Sequence, residues 1–339
     1  MANVTIKDVA KEANVSIATV SRVINKNPKV APEIAACVMS AIERIGYVPN
    51  QLARSLKSTS SKTIGVIIPD ITNVYLVQTI NAIGAYMQSR GYMLLLFSTL
   101  NNPDAEMNGI RLMTEKRVDG LIINTTGFCD DYIADLSRTI PTLLLHRRID
   151  NTSFCGDWVD TDILDCARSL TRVLLEKGHR NIGCLNGPMY LSTAKMRFDG
   201  FCAAMNEAGI YLPENSPYLY EGDFSFQSGI DGAEYFMSLP TPPTAIVNMH
   251  GESTLGMLTY FRSHNIKVPR DVSIVSVSAI PNSDILYVQP YHYQMRPESI
   301  GIRAAQLMVE RINADNQIGY RECCITMPII DGNTISVLK

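Results

Sequence analysis

From Lys62 onward, four apolar runs punctuate the chain: TIGVIIPD (63–70), YMLLLFST (92–99), GLIINTT (120–126) and PTLLLHR (141–147). They are continuous rather than alternating, the pattern of strands buried on both faces. The intervening stretches near 74–90, 103–116 and 130–138 read as helices. A second series starts after about residue 160. It comprises a helix to Lys177, the strand NIGCLNG, helices over 194–208 and 226–238, the strand TAIVNM, a helix over 252–264 and the strand DVSIVSVS. No element is assigned beyond Ser278. Strand and helix alternating in this way give parallel sheets covered by helices, and two series imply two doubly wound lobes. Ligands of such sheets sit at the carboxyl ends of the strands, which for two lobes means the cleft between them. At 339 residues the chain exceeds one ordinary core.

The first 46 residues follow a different rule. Thr5 and Asp8 make a capping-box-like start, and Val9, Ala10 and Ala13 give one apolar face. Asn14-Val15 is a tight turn. Ser16 caps a second helix, Ile17 to Asn25, with Val20, Val23 and Ile24 facing inward. A third helix runs from Pro32 to a stop at Gly46, with Val38, Ala41, Ile42 and Ile45 as its stripe. Two short helices joined so tightly form a helix-turn-helix. The outer face of the second helix presents Ile17, Ala18, Ser21, Arg22 and Asn25, small and polar around one arginine. An arginine fork can read guanine in the major groove. Charge agrees: residues 1–62 hold nine Lys/Arg against four acids, +5, leaving 21 basic against 29 acidic residues, −8, on the remainder. A basic head on an acidic body is the footprint of nucleic-acid binding.

Between head and body lies PNQLARSLKSTSS (49–61). Asn50 is a good N-cap and Gln51 to Lys57 are helix formers, but seven residues are too few to hold as a helix alone in water. The organisation expected is therefore a head over 1–48, a hinge helix and linker over 49–61, and a two-lobed body over 62–339.

Several classes are disfavoured. No window offers 18 consecutive apolar residues, so no membrane partner is expected. The N-terminus lacks a signal-peptide pattern, and eight scattered cysteines without C-x-x-C pairs suit a reduced, cytoplasmic protein. No phosphate-loop, nucleophile-elbow or zincin motif occurs, so neither an enzyme nor a cofactor is expected. A sugar-binding or sugar-processing protein with an incidental basic head stays open as the alternative. An architectural DNA binder would leave the large body unexplained.

At TIKDVAKEANVSIATVSRVIN the chain resembles the lactose repressor/galactose repressor (LacI/GalR) family of bacterial transcription regulators. The resemblance continues through GYVPNQLARSLK, TIGVIIPDITN, KRVDGLII, EKGHRNIGCLNGP, RFDGF and KVPRDVSIV, covering essentially the whole chain. It implies a homodimer bound to a pseudo-palindromic operator, with a body like the periplasmic sugar-binding proteins. It implies base contacts from Ile17, Ala18 and Arg22, and backbone contacts from Thr5, Ser16, Ser21, Asn25 and Tyr47. The segment carrying Asn50, Ala53, Arg54, Leu56 and Lys57 would fold as a hinge helix only on operator DNA, with Leu56 wedged into the central base step. An apolar wedge kinks a duplex while basic neighbours neutralise phosphates. The chain lacks the leucine-heptad tail of some tetrameric relatives.

For the body, the resemblance implies an effector site with Arg197 as a ligand clamp and Phe224 as a wall for a ring. Tyr75, Leu76, Arg147, Asp162 and Thr193 fall at further cleft positions. The chain departs from the family's pattern twice. His250-Gly251 stands where Asn-Asp is usual, and SVSAI puts Ser278 where an aspartate commonly holds ligand hydroxyls. With Arg197, Arg147 and a titratable His250, the site reads as more cationic than usual. A sugar or sugar derivative is expected as effector, and the balance tilts towards an acidic one.

Overall fold

The computed structural model describes residues 4–24, 27–47, 60–280, 282–314 and 317–338. Two compact units divide at Ser61/Lys62.

The first unit contains α1 (Ile6–Glu12), α2 (Ile17–Ile24) and α3 (Pro32–Ile45). The Asp8 carboxylate accepts the Thr5 amide at 2.8 Å and its hydroxyl at 2.7 Å, and these bonds hold Asp8 below the usual carboxylate range. Asn14 turns the chain between α1 and α2 at φ 50°, a conformation asparagine tolerates. The Ser16 hydroxyl accepts the Thr19 amide at 3.1 Å and starts α2. Val9, Ala10, Ala13, Val20, Val23, Val38 and Ala41 form the core, with Ile24, Ile42 and Ile45 packed partly buried at its edge. Gly46, at φ 65°, closes α3 in the left-handed conformation.

The second unit carries two six-stranded sheets. The first lobe uses β1 (Thr63–Ile68), β2 (Met93–Ser98), β3 (Gly120–Ile123), β4 (Thr142–Leu145), β5 (Asp157–Thr161) and β11 (Arg321–Ile325), in the order β11-β5-β4-β3-β1-β2, all parallel. Its helices are α4 (Val74–Ser89), α5 (Pro103–Glu115), α6 (Asp130–Ser137) and α11 (Pro297–Asn313). In β1 the pleat sends Ile64, Val66 and Ile68 towards α4 and α11, while Ile67 packs among α5 and α6. A strand with a core on each face must be apolar throughout, which is why its sequence does not alternate.

The second lobe uses β6 (Ile182–Asn186), β7 (Leu219–Glu221), β8 (Ala245–Asn248), β9 (Ser273–Ser276), β10 (Tyr291–Tyr293) and β12 (Ile329–Ile330). Their order is β12-β10-β9-β8-β6-β7, with only the β10–β12 pair antiparallel. Helices α7 (Ile163–Glu176) and α8 (Ser192–Glu207) cover one face, and α9 (Phe226–Ser238) and α10 (Gly251–Ser263) the other.

The lobes are not two successive blocks. After β5 the chain enters the second lobe at α7, returns after β10 to supply α11 and β11 to the first, and crosses again to β12. Sequence patterning missed β5, β7, β10, β11, β12 and α11. DWVDT of β5 reads as polar because its acids are buried with partners. The Asp157 carboxylate takes two hydrogen bonds from Arg311 (2.8 Å each) and two from Arg321 (2.7 and 3.0 Å). Burial opposes its ionisation, yet the two guanidinium groups hold it below the usual carboxylate range. Arg311, fully buried, also donates to the carbonyls of Gly156, Ile318 and Gly319. This pins α11 and β11 to the edge of the first sheet.

Candidate functional site

A cavity of about 660 Å³ opens at the carboxyl ends of the strands of both lobes. The first lobe contributes Pro69 and Asp70 after β1, Tyr75 and Leu76 from α4, Asn124 after β3, His146 and Arg147 after β4, and Asp160 from β5. From the second lobe come Tyr190, Thr193 and Arg197, then Phe224 after β7, His250 after β8 and Ser278 after β9. Parallel strands bring all these loops to one end because every helix returns the chain to the opposite end.

Arg197 is 8% exposed. Its Nη2 donates to Ser278 Oγ at 3.5 Å, a long bond, and its Nε has no protein partner. Its Cζ lies 5.1 Å from the Phe224 ring centroid, and Phe224 in turn meets the His250 ring at 5.1 Å. Burial lowers Arg197 from its ordinary value. Arg147 donates to the Thr125 carbonyl at 2.8 Å and to Asn101 Oδ1 at 3.3 Å. Desolvation, with repulsion from Arg197 adding to it, lowers Arg147 to about 10. A guanidinium in such a place gains from an added acceptor.

Against these stands one buried acid. Asp160 Oδ1 meets His146 Nδ1 at 2.6 Å, and both Asp160 Oδ2 and His146 Nε2 are buried without a protein partner. Burial first and the Asp160 charge second push the Tyr75 phenol up. Asn124 Oδ1 and His250 Nδ1 are likewise unsatisfied. Buried polar atoms are normally paired, so an array of unmet donors and acceptors is where a polar ligand can supply partners.

Two expectations are corrected. Asp162 does not line the cavity. It is the N-cap of α7, its Oδ1 accepting the Asp165 amide at 3.1 Å, so the helix end absorbs the carboxylate. Asp160, two residues earlier on β5, takes the cleft position. His250 is also not a cation at neutral pH: desolvation, then repulsion by Arg197 and Arg147, lowers it to about 3. The inner cleft therefore holds two guanidinium groups against the Asp160 carboxylate, while half-buried Asp70 and exposed Asp223 and Glu252 also line it.

The two departures from the family pattern turn out to be one feature. A Cβ on Gly251 would lie 2.8 Å from the Ala279 carbonyl oxygen. The SVSAI backbone occupies the space a side chain at 251 would need. His146, Asp160 and Asn124 escaped sequence reading. An acid inside an otherwise buried strand, as in WVDT, is the signal that could have found Asp160.

On the head, Thr5, Ser16, Ile17, Ala18 and Arg22 are exposed and Ser21 is half-buried. Ile17 is 44% exposed and, with Arg22, belongs to α2. Tyr47 packs partly buried on the head's core, its amide bonded to the Ile42 carbonyl at 3.0 Å. Asn25, Asn50, Ala53, Arg54, Leu56 and Lys57 lie outside the described residues.

Residues 5–50 match the family described as bacterial regulatory proteins, lacI family, and residues 61–331 match periplasmic binding proteins and sugar binding domain of LacI family. The HTH-type transcriptional repressor PurR of Pasteurella multocida is 33% identical over 92% of this chain and 93% of its own length. Catabolite control protein A of Priestia megaterium is 32% identical over 92% and 94%. Among solved structures, the lac repressor dimer bound to operator and the anti-inducer ONPF superposes with a TM-score of 0.85 over 98% of this chain and 99% of that one, at 22% identity. A transcriptional regulator CelR–cellobiose complex gives 0.72 over the same shares at 21%. Both likenesses are of fold. With a helix-turn-helix head, a two-lobed body and family matches that together span almost its whole length, the chain belongs to the LacI family of bacterial regulatory proteins and is a transcriptional repressor.

Proposed function

We propose that this repressor controls genes of carbohydrate uptake or catabolism, binds a pseudo-palindromic operator as a homodimer in the cytoplasm, and changes operator affinity when a small polar molecule enters the cleft. The observation that carries the reading is the set of unpaired polar atoms converging from both lobes: Asp160 Oδ2, His146 Nε2 and Asn124 Oδ1 on one side, Arg197 Nε and His250 Nδ1 on the other. A sugar or sugar derivative offers hydroxyls that both donate and accept, and so matches such a mixture. In this reading the chain binds its ligand without transforming it, and uses no cofactor. The head reads sequence through Arg22, Ile17 and Ala18, and the tether over 49–61 carries the signal.

A second reading concerns charge. Arg147 and Arg197 come from different lobes and repel each other, with the buried carboxylates of Glu106 near Arg147 and Asp160 near Arg197. An effector bearing one carboxylate or phosphate would relieve that repulsion and draw the lobes together. Calorimetry on the whole protein tests both readings by comparing an aldose, its aldonic acid and its sugar phosphate. Binding of the acid or phosphate alone supports an acidic effector. Binding of the neutral sugar alone removes that reading and leaves a carbohydrate effector standing. Binding of none, with a nucleoside or amino acid bound instead, overturns the carbohydrate assignment.

A further inference from the structure

The opposite end of the first lobe has no role so far. There the helix-to-strand loops gather at the amino ends of β2, β1, β3 and β4, which are neighbours in the sheet. Each of these four loops carries exposed positive charge: Arg90 before β2, Lys62 before β1, Lys116 and Arg117 before β3, and Arg138 before β4. Glu115 and Asp119 are the acids among these loops, and Asp119 is tied down, accepting the Lys62 amide at 3.1 Å. Residues 63–339 as a whole carry −8. A line of five cations on an acidic body is a segregation of charge, and field of this kind selects polyanions.

The cations are also held ready. The Arg90 guanidinium rests 5.2 Å from the Tyr86 ring and donates to its hydroxyl at 3.3 Å, and Lys62 Nζ stands 4.4 Å over the Tyr92 ring. Lys116 ends α5 and Arg117 follows in a left-handed turn at φ 52°, which lifts both side chains onto the loop. Among the described residues no ion pair engages Arg90, Lys116, Arg117 or Arg138. Spacing suits a nucleic-acid backbone. Four adjacent strands span about 14 Å, the axial rise of about four phosphates on one strand of a duplex. Covalent geometry decides the partner, because β1 begins where the tether ends, so this is the end of the lobe joined to the DNA-binding head.

We propose that this basic end of the body contacts operator phosphates beside the segment reached by the tether, adding a sequence-independent share of affinity to the head's reading. The inference rests on operator binding by the head.

The test uses the full chain and a cognate duplex selected from a random pool, with affinity measured across a range of salt. Changing Lys116→Gln and Arg117→Gln together is expected to lower the slope of log K against log salt by about 2–4, since each lost phosphate contact removes roughly 0.9 and the proposed dimer would lose up to two in each protomer. The loss should be equal on cognate and random duplexes, and Arg117→Lys alone should keep the slope. An unchanged slope overturns the proposal, as does weaker binding at unchanged slope or a loss traced by sedimentation to dimer dissociation. Arg22→Ala serves as the separate control. If it abolishes cognate preference while the body variants bind like wild type, the head's reading stands and the inference about the body falls.

Discussion

Arg197 sits where burial, a single long hydrogen bond and an aromatic neighbour leave its fork ready for a ligand. Charge-assisted bonds are worth about 1.5–3 kcal/mol each, so Arg197→Ala should weaken effector binding roughly 10- to 100-fold. Arg197→Lys keeps the charge and loses the fork, and calorimetry should place it between the two; an alanine variant that binds as wild type would remove Arg197 from the site. His250 makes a second test, through pH. Its folded value is about 3 against an ordinary 6.5, so between those values the unfolded chain binds more protons. Stability should be full above about pH 6.5 and fall as pH drops towards 3. His250→Gln should flatten that part of the profile in denaturant titrations; an unchanged pH slope would show that the imidazole does not titrate as the cleft dictates. Arg197 was legible only through the family resemblance carried by RFDGF, which places a ligand-clamping arginine there. His146 and Asp160 were hidden, since a half-polar pair within buried strands is visible only once β4 and β5 are known to be neighbours.

At the scale of elements, α11 and α10 show how backbone approach shapes the site. On α11, a Cβ at Gly301 would lie 2.4 Å from the Thr79 carbonyl, so α11 and α4 touch backbone to backbone. Gly251, at the start of α10, leaves room for the Ala279 carbonyl in the same way, and Gly251→Asp should therefore not restore the family's usual acid. We expect it to cost about 1–3 kcal/mol of stability as an overpacked site, read from the denaturant midpoint. A neutral or stabilised variant would mean that the 278–280 segment yields easily. The buried Asp157 carboxylate gives the complementary case: Asp157→Asn leaves Arg311 buried with weaker partners and should destabilise strongly, by up to about 3–5 kcal/mol. The helices up to Ser263 and the long strands were legible because apolar runs and caps are local signals, whereas α11 was missed although it is the longest helix among the described residues. Short strands such as β7, β10 and β12, and the salt-bridged β5 and β11, owe their place to partners far along the chain, which no local pattern encodes.

For the whole molecule, three short connections, 161–163, 293–297 and 325–329, join the lobes. Few linking segments and a cavity fed from both sides make the lobes free to rotate as bodies, and a ligand that bonds both sides will favour the closed arrangement. Already Arg148 of the first lobe donates its amide to Ser192 Oγ of the second at 2.7 Å, and Phe128 meets Tyr190 at 5.0 Å. Closure alters the first lobe's relation to the second and, in the proposed dimer, would change the spacing of the two tethers. The decisive measurement is operator affinity of the full chain with and without saturating effector, for wild type and Arg197→Ala. We expect the effector to change wild-type operator affinity by about 5- to 150-fold, equivalent to about 1–3 kcal/mol of coupling, with the change lost in the variant although its ligand-free affinity is intact. An effector that binds the cleft yet leaves operator affinity unchanged would contradict the link between cleft and operator.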